Sequence, residues 1–179
     1  MILADVHNHT LISHGEADVA QMYEAARARG LRWYGFSEHS PLPPGYACPL
    51  YHGDLAGDFP GYVEDVLRLT SAEFPRVLLG MELDWIPSRM PYMRELAARW
   101  SFDYVIGGLH FLGMLAVGSP KNWGRGESEE ERYARFADYY REMTAMVRSG
   151  LMNIVAHPDF IKVRCWESFH AWRSEERRV

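Results

Sequence analysis

Histidine side chains recur along this chain at one kind of place, the end of a short apolar run. Six of the eight histidines lie in or just after such runs, beside glycine, serine, asparagine or proline. One glutamate, Glu82, has a similar placement. Imidazole and carboxylate groups are ligands for zinc, manganese and iron. The pattern predicts a metal site assembled from several segments, with candidate ligands His7, His9, His14, His39, Glu82, His110 and His157.

His7 and His9 are separated by one residue at the end of the first apolar run. Side chains two positions apart on a strand point to the same face, so both imidazoles could reach one ion, at ~2.0–2.1 Å for zinc. The alternative is a pair of ordinary polar residues at a strand exit. The agreement with the other strand ends favours the metal-binding interpretation.

Glu82 lies near the end of an apolar strand, in the segment 80–84. A carboxylate there is costly to bury unless it is paired or metal-bound. Glu82 could bridge two cations, and His110 and His157 would complete the second site. The alternative for Glu82 is a salt bridge to an arginine. Asp84 lies on the same face and could either support a ligand or be solvated.

His14 and His39 are candidates for a third ion. Glu38 is expected to be solvated or salt-bridged, and His52 to face solvent or at most contact substrate. With no thiolate in the set, we expect two to three divalent ions of Zn, Mn or Fe. Such ions lower the pKa of a bound water and neutralise an incoming phosphate.

The composition limits the other classes of function. A chain of 179 residues with 47% hydrophobic and 24% charged residues suits one globular domain. The net charge of −5 and the lack of a basic run disfavour a nucleic-acid partner. Cys48 and Cys165 are too few for a disulfide framework, so a reducing cytoplasm is expected. No apolar stretch approaches the ~20 residues that span a bilayer, so no membrane partner is expected.

Strand and helix patterns alternate along the chain. Strands are predicted at 1–6, 31–36, 76–83, 102–106 and 151–156. Helices are predicted at 19–29, 60–74, 92–100 and 127–148, the first with Asp18 as N-cap and Gln21 as its capping-box partner. Residues 41–57 and 113–126 are predicted to be loops, and residues 165–179 a last helix with Trp166, Phe169 and Trp172 on one side. Alternation predicts an α/β fold, a parallel sheet or (β/α) barrel whose carboxyl strand ends gather the functional groups.

Six short segments together resemble the PHP (polymerase and histidinol phosphatase) family, most closely its histidinol-phosphate phosphatase branch. They are DVHNHT at 5–10, HGEA at 14–17, GFSEHSPLP at 35–43, GMELD at 80–84, GLHF at 108–111 and AHPD at 156–159. The resemblance implies a distorted (β/α)7 barrel that hydrolyses L-histidinol phosphate to L-histidinol and phosphate, in histidine biosynthesis. It also implies three metals, held by His7, His9 and Glu82, by Glu82, His110 and His157, and by His14 and His39.

The family pattern continues to an Asp-x-His motif that completes the first and third metal sites, and no such motif follows Asp159. We therefore expect one PHP domain over 1–179, family-like to about residue 162 with a divergent tail at 163–179, and an incomplete barrel without its closing strands. An open edge is then expected, with self-association as one way to cover it. A fragment, a truncated gene product or a chain that closes by association would each fit.

Substrate contacts are less well determined by the sequence. Besides Glu82, the catalytic candidates are Asp84 and Asp159, either of which could protonate the leaving alkoxide, as could a water on the metals. The expected partner is a small phosphorylated substrate. The alternatives are another PHP activity, such as a phosphodiesterase or nuclease, and a non-catalytic metal-binding remnant. Cationic candidates for phosphate binding are Arg89, Lys121, Arg125 and Lys162.

Overall fold

A computed structural model describes residues 2–49, 51, 53–123 and 127–176. Its main sheet has five parallel strands in the order β1-β2-β3-β4-β7, and β5 and β6 form a separate antiparallel hairpin. Neighbouring strands of the main sheet follow one another along the chain, as expected for strands joined by helical crossovers. The strands are β1 Ala4–Asp5, β2 Trp33–Phe36, β3 Arg76–Asp84, β4 Tyr104–Gly108, β5 Phe111–Leu112, β6 Leu115–Ala116 and β7 Ile154–Val155.

The long central strand β3 pairs with its two neighbours through different halves. Residues 76–79 pair with β2, whereas residues 80–84 pair with β4. Such a stagger accompanies the curling of a sheet into a barrel. The result is a curled half-barrel, an incomplete α/β barrel in which β1 and β7 each have one neighbouring strand within the described residues.

Five helices accompany the sheet in the described part of the chain. Asp18 caps the first helix in a capping box with Gln21, as predicted, and Ser128 forms the same motif with Glu131. No helix in the described ranges is long and apolar enough to cross a membrane. The helices are α1 Val19–Ala28, α2 Leu55–Leu69, α3 Met90–Arg99, α4 Glu129–Arg148 and α5 Trp166–Glu176.

The predicted bounds of α2 were wrong at both ends. The helix starts inside the predicted loop because the Asp54 side chain accepts a hydrogen bond from the backbone N–H of Gly57 and caps it. Pro60 lies inside the helix rather than at its start. The helix ends at Leu69, with Thr70 as its C-cap, five residues earlier than predicted.

The predicted loop at 113–126 was also partly wrong. β6 lies within it and pairs with β5 across a turn in which Gly113 has a φ of +58°. Residues other than glycine are disfavoured in that conformation. Edge strands β1 and β7 are each two residues long, shorter than the predicted 1–6 and 151–156.

The tail forms the predicted helix α5, but its predicted apolar side is only partly buried. Phe169 and Trp172 are buried and their rings lie 5.5 Å from that of Phe136 on α4. Trp166, the first residue of the helix, is 58% exposed. The last residues, 177–179, lie outside the described part of the chain.

Candidate metal centre

A single buried carboxylate lies at the centre of the predicted site. Glu82, near the end of β3, is fully buried and forms an isolated bridge with His39, just beyond the end of β2. The backbone N–H of Ser40 donates to the carbonyl of Glu82 at 2.8 Å, and the N–H of Glu82 donates to the carbonyl of Glu38 at 2.9 Å. The stagger of the sheet therefore fixes the second histidine segment directly beside the carboxylate.

Imidazole nitrogens approach both oxygens of the Glu82 carboxylate. Oε1 lies 3.1 Å from His157 Nε2 and 3.5 Å from His110 Nε2. Oε2 lies 3.1 Å from His7 Nε2, 3.3 Å from His9 Nε2 and 3.2 Å from His39 Nδ1. These five histidines come from four segments separated by up to 150 residues, which the parallel strand ends bring to one place, as expected for this class of fold.

The seven predicted ligands form three overlapping groups, and Asp84 forms a fourth with His39 and His110. Within each group, all donor atoms lie within 4.8 Å of one another. The first two groups have the predicted composition. The third contains His9 in addition to the predicted His14 and His39, whose Nε2 atoms are 2.9 Å apart. In this order, the three groups of predicted ligands are His7, His9 and Glu82; Glu82, His110 and His157; and His9, His14 and His39.

The donor atoms fit divalent cations. Glu82 Oε2 and His157 Nδ1 are buried and have no hydrogen-bond partner in the described part of the chain. An unpaired carboxylate oxygen in a buried position is costly unless a cation or donor satisfies it. A set of imidazoles and one carboxylate, with no thiolate in the three groups, suits Zn, Mn or Fe.

The electrostatics keep Glu82 in the form that binds cations. Burial alone would raise the pKa of Glu82, but the neighbouring imidazoles of His157, His7 and His9 outweigh it and hold that pKa well below its usual value. Burial alone would lower the pKa of His9, but the negative charges of the adjacent Glu38 and Glu82 prevail and raise it to about 9. In the absence of cations, the imidazoles thus balance the buried negative charge.

Glu38 was predicted to be solvated or salt-bridged, and it is buried and paired. It is fully buried and accepts hydrogen bonds from the N–H and hydroxyl of Thr10 at 2.7 and 2.6 Å, from the Ser13 hydroxyl and from the His39 N–H. His9 Nδ1 lies 3.3 Å from it. The solvated alternative is excluded, and Glu38 holds the His9 ring so that Nε2 faces Glu82.

Asp84 lies at the back of the site, with a carboxylate oxygen within 4.8 Å of ligand atoms of His39 and His110. It is 2% exposed, and its Oδ1 lies 2.7 Å from His110 Nδ1. The solvated alternative for Asp84 is therefore wrong, and the carboxylate orients the His110 ring. Asp84 is not among the residues that line the cavity above the cluster. Tyr51, which donates to the other oxygen of Asp84 at 3.1 Å, was not predicted, because an aromatic residue in a proline- and glycine-rich loop carries no periodic signal.

The cluster forms the floor of a cavity of about 360 Å³, a size that suits a small ligand. Phe160 stands edge-on to the His110 ring, with 5.4 Å between the ring centres. The walls are formed by Cys48, Pro49, Tyr51, Ala116, Gly118, Ser119 and Phe160.

Three of the four predicted phosphate-binding cations lie away from the cavity. Arg89 and Lys121 are exposed, and Lys162 pairs with the partly exposed Asp159 and lies over the Trp166 ring. Among the described residues, neither these three cations nor Asp159 lines the cavity. Arg125 and His52 lie outside the described part of the chain.

A model of the PHP domain family matches residues 5–177. The chain belongs to the PHP domain family. Relatives of this PHP chain include phosphatases. A Deinococcus radiodurans protein named "Probable histidinol-phosphatase" is 29% identical over 163 residues, which cover 89% of this chain and 62% of that protein. A Clostridium acetobutylicum protein named "Probable phosphatase" is 32% identical over 109 residues, covering 60% of this chain and 41% of that one.

Solved structures share the fold of this PHP chain. Histidinol phosphate phosphatase from Lactococcus lactis, crystallised with Zn, L-histidinol and phosphate, aligns with a TM-score of 0.68 at 18% identity, covering 88% of this chain and 58% of that one. A structure from Listeria monocytogenes aligns with a TM-score of 0.73 at 17% identity, covering 97% and 79%. The chain thus spans 62% of the first relative's length and 58% of the Lactococcus lactis chain.

Proposed function

We propose that this PHP chain is a metal-dependent phosphoric-monoester hydrolase whose substrate is L-histidinol phosphate, within histidine biosynthesis. The observation that carries the proposal is the fully buried Glu82, approached on both oxygens by imidazole nitrogens at the floor of a cavity of about 360 Å³. The named relatives support the phosphatase class. The Lactococcus lactis protein, which binds Zn, L-histidinol and phosphate, supports the choice of substrate.

Divalent cations held by the three ligand groups would supply an activated water and neutralise the charge of the phosphate. Residues of the chain itself would hold and shape that site. Glu38 and Asp84 orient ligand rings from behind, and Phe160 forms an apolar wall. Since no lysine or arginine of the described residues lines the cavity, cations rather than side chains would balance the phosphate charge.

The leaving alkoxide needs a proton, and the placement of the candidates favours solvent. Asp84 is buried against His110, and Asp159 pairs with Lys162 at the surface. Neither carboxyl group lines the cavity. We infer that water within the cavity supplies this proton.

Two alternative functions would use the same ligands. A phosphodiesterase or nuclease activity would fit the same ligands, but the small cavity and the net charge of −5 disfavour a nucleic-acid substrate. A non-catalytic metal-binding remnant would fit the limited length, 62% of the Deinococcus radiodurans relative. It would also fit the third ligand group, which contains imidazoles alone.

One assay separates these functions. The purified chain, loaded with Zn, Mn or Fe, is given L-histidinol phosphate, a simple aryl phosphate monoester and a dinucleotide, and released products are measured together with bound metal. Fastest release from L-histidinol phosphate supports the proposal, and chelated protein should show none. Faster cleavage of the dinucleotide would instead support the diesterase function. Bound metal without any hydrolysis would support the non-catalytic metal-binding remnant.

We further propose that the open strand edges mediate self-association. Apolar side chains remain exposed at both edges. Ile2 and Leu3, just before β1, are 73% and 47% exposed, and Ile154 and Val155 on β7 are 39% and 37% exposed. Unpaired edges with apolar side chains favour pairing with another chain. Light scattering should find an oligomer that Ile154→Lys dissociates and that Val147→Lys, an exposed change on α4, leaves intact. A monomeric native chain would refute this part of the proposal.

A further inference from the structure

Tyr51 lines the cavity, but the proposed function gives its contacts no role. It lies between β2 and α2, and its ring stacks on His39 with 4.3 Å between ring centres and 29° between planes. Its hydroxyl lies 3.0 Å from His39 Nδ1 and 3.1 Å from Asp84 Oδ2. The hydroxyl therefore connects a ligand of one metal group with the carboxylate that supports a ligand of another.

The direction of these hydrogen bonds follows from the inventory of donors. An ionised carboxylate only accepts, so Asp84 takes the hydroxyl proton of Tyr51 on Oδ2 and the Nδ1 proton of His110 on Oδ1. Because a phenol has one proton to donate, the Tyr51 oxygen can only accept from His39. His39 is then protonated at Nδ1, and its Nε2 carries the lone pair.

A second observation agrees with this assignment. Glu82 Oε2 lies 3.2 Å from His39 Nδ1, yet Oε2 has no hydrogen-bond partner among the described residues. The Nδ1 proton of His39 is therefore directed at Tyr51 and not at Glu82. The lone pairs of Glu82 remain available to cations, and His39 Nε2 faces His14 Nε2 at 2.9 Å.

We propose that Tyr51 is a positioning residue whose hydroxyl, held by Asp84, fixes His39 in the tautomer protonated at Nδ1 so that Nε2 acts as a metal ligand. Asp84 then sets the tautomers of two ligands in different groups, His110 directly and His39 through Tyr51. Partners of this kind fix the orientation and the free nitrogen of metal-binding histidines in other proteins. The inference rests on the proposed metal centre and does not depend on the substrate.

The first test reads the tautomer in metal-free protein, so it is independent of catalysis. Nitrogen NMR of the histidine rings at neutral pH distinguishes the protonated from the lone-pair nitrogen. In the native chain, His39 should show a protonated Nδ1. In Tyr51→Phe, which keeps the stacked ring and removes the hydroxyl, His39 should lose this single tautomer, whereas His110 should keep it because Asp84 remains.

The matched control is Tyr46→Phe, which removes the same atom from a tyrosine whose hydroxyl contacts Ser88 Oγ at 3.1 Å outside the cavity. It should leave both histidine spectra unchanged. A native His39 protonated at Nε2, or a His39 tautomer that Tyr51→Phe does not alter, would overturn the proposal.

The second test measures metal affinity by chelator competition, followed through the NMR signals of His14 and His157. Loss of a supporting partner typically weakens metal binding 10- to 100-fold, so Tyr51→Phe should weaken Zn binding about that much at the group with His14. Binding at the group with His157 should change less than threefold. Equal losses at the two groups, or no loss at either, would contradict the positioning role, even if the tautomer changes. Absence of phosphatase activity in the native chain would leave both measurements intact and refute the proposed function alone.

Discussion

The hydroxyl of Tyr104 on β4 donates a hydrogen bond to the carbonyl oxygen of Val6, at 2.8 Å and across 98 residues of sequence. It also lies 3.2 Å from the carbonyl of Phe36. Tyr104 therefore crosses the interior of the half-barrel and connects the ends of β1 and β2. Val6 directly precedes His7, so this contact fixes the backbone that carries the first ligand pair.

Tyr104→Phe should lower both stability and metal affinity. The change leaves the partly buried carbonyl of Val6 without its donor, which typically costs about 1–3 kcal/mol in the free energy of unfolding. Urea denaturation of metal-free protein measures that cost. Zn affinity at the group with His7 should fall as well, because the segment after Val6 loses its anchor.

The control for Tyr104→Phe is Tyr23→Phe, which removes a hydroxyl that donates to the carbonyl of Phe74 at 3.0 Å in an exposed position. Solvent can replace that bond, so the cost should stay within about 0.5 kcal/mol. Equal effects of the two changes would show that the Tyr104 contact is not structurally important.

Two glycines make room for the Tyr104 ring, and alanine at either should be destabilising. A Cβ at Gly35 would come within 2.3 Å of the Tyr104 hydroxyl, and one at Gly80 within 2.3 Å of its ring. Overpacking of this kind typically costs about 1–3 kcal/mol. In a Tyr104→Ala background the cost of Gly80→Ala should fall by about 1 kcal/mol or more, a non-additivity that thermal or urea unfolding can measure.

Gly61→Ala is the matched control, since a Cβ at this position of α2 has nothing within 4 Å. Alanine is favoured over glycine in a helix, so this change should stabilise by about 0.5–1 kcal/mol. Additive costs of Gly80→Ala and Tyr104→Ala would be evidence against the close packing between the two residues.

The ligand cluster could be predicted from the sequence because each ligand lies at a strand end. The spacing of His7 and His9 and the apolar run before Glu82 are local signals, and a parallel fold converts them into proximity. The roles of Glu38 and Tyr51 could not be predicted this way. Glu38 is buried by the segment from Thr10 to Ser13, which folds over it, and Tyr51 reaches the site from a long loop.

The fold shows the same division between local and distant causes. Both capping boxes lie within four residues of sequence, and the one at Asp18 was predicted. The start of α2 was missed because Pro60 is typical of a first helical turn, whereas the Asp54 cap precedes it by six residues. The lengths of β1 and β7 depend on how many neighbouring strands they have, which no local pattern records.

Glu38→Gln should weaken the centre without removing a ligand. The carboxylate accepts hydrogen bonds from Thr10, Ser13 and His39 and lies beside His9, so an amide would direct its own N–H groups at donors in a fully buried position. Loss of one partner in a buried network of this kind costs about 3–5 kcal/mol. Zn affinity at the groups that contain His9 should fall about 10- to 100-fold.

Glu16→Gln provides the comparison for Glu38→Gln, because Glu16 is exposed on the same N-terminal loop. This change should leave both unfolding and Zn affinity within experimental error of the native chain. A native Zn affinity in Glu38→Gln would show that His9 needs no partner at Nδ1.

Metal binding itself should stabilise the fold, and Glu82 should be required for it. A ligand that binds only the native state stabilises it by about 2.7 kcal/mol at a free concentration of one hundred times Kd. Zn should therefore raise the Tm of the native chain and of His170→Ala, an exposed change on α5. It should have little effect on Glu82→Ala or His9→Ala, each of which loses a ligand shared by two groups.

Metal analysis should give about two tightly bound ions per native chain and a third that is held more weakly, because the group with His14 has no carboxylate. Unchanged metal content in Glu82→Ala would contradict the whole assignment of the centre, since the oxygens of that carboxylate lie 3.1 Å from both His7 Nε2 and His157 Nε2.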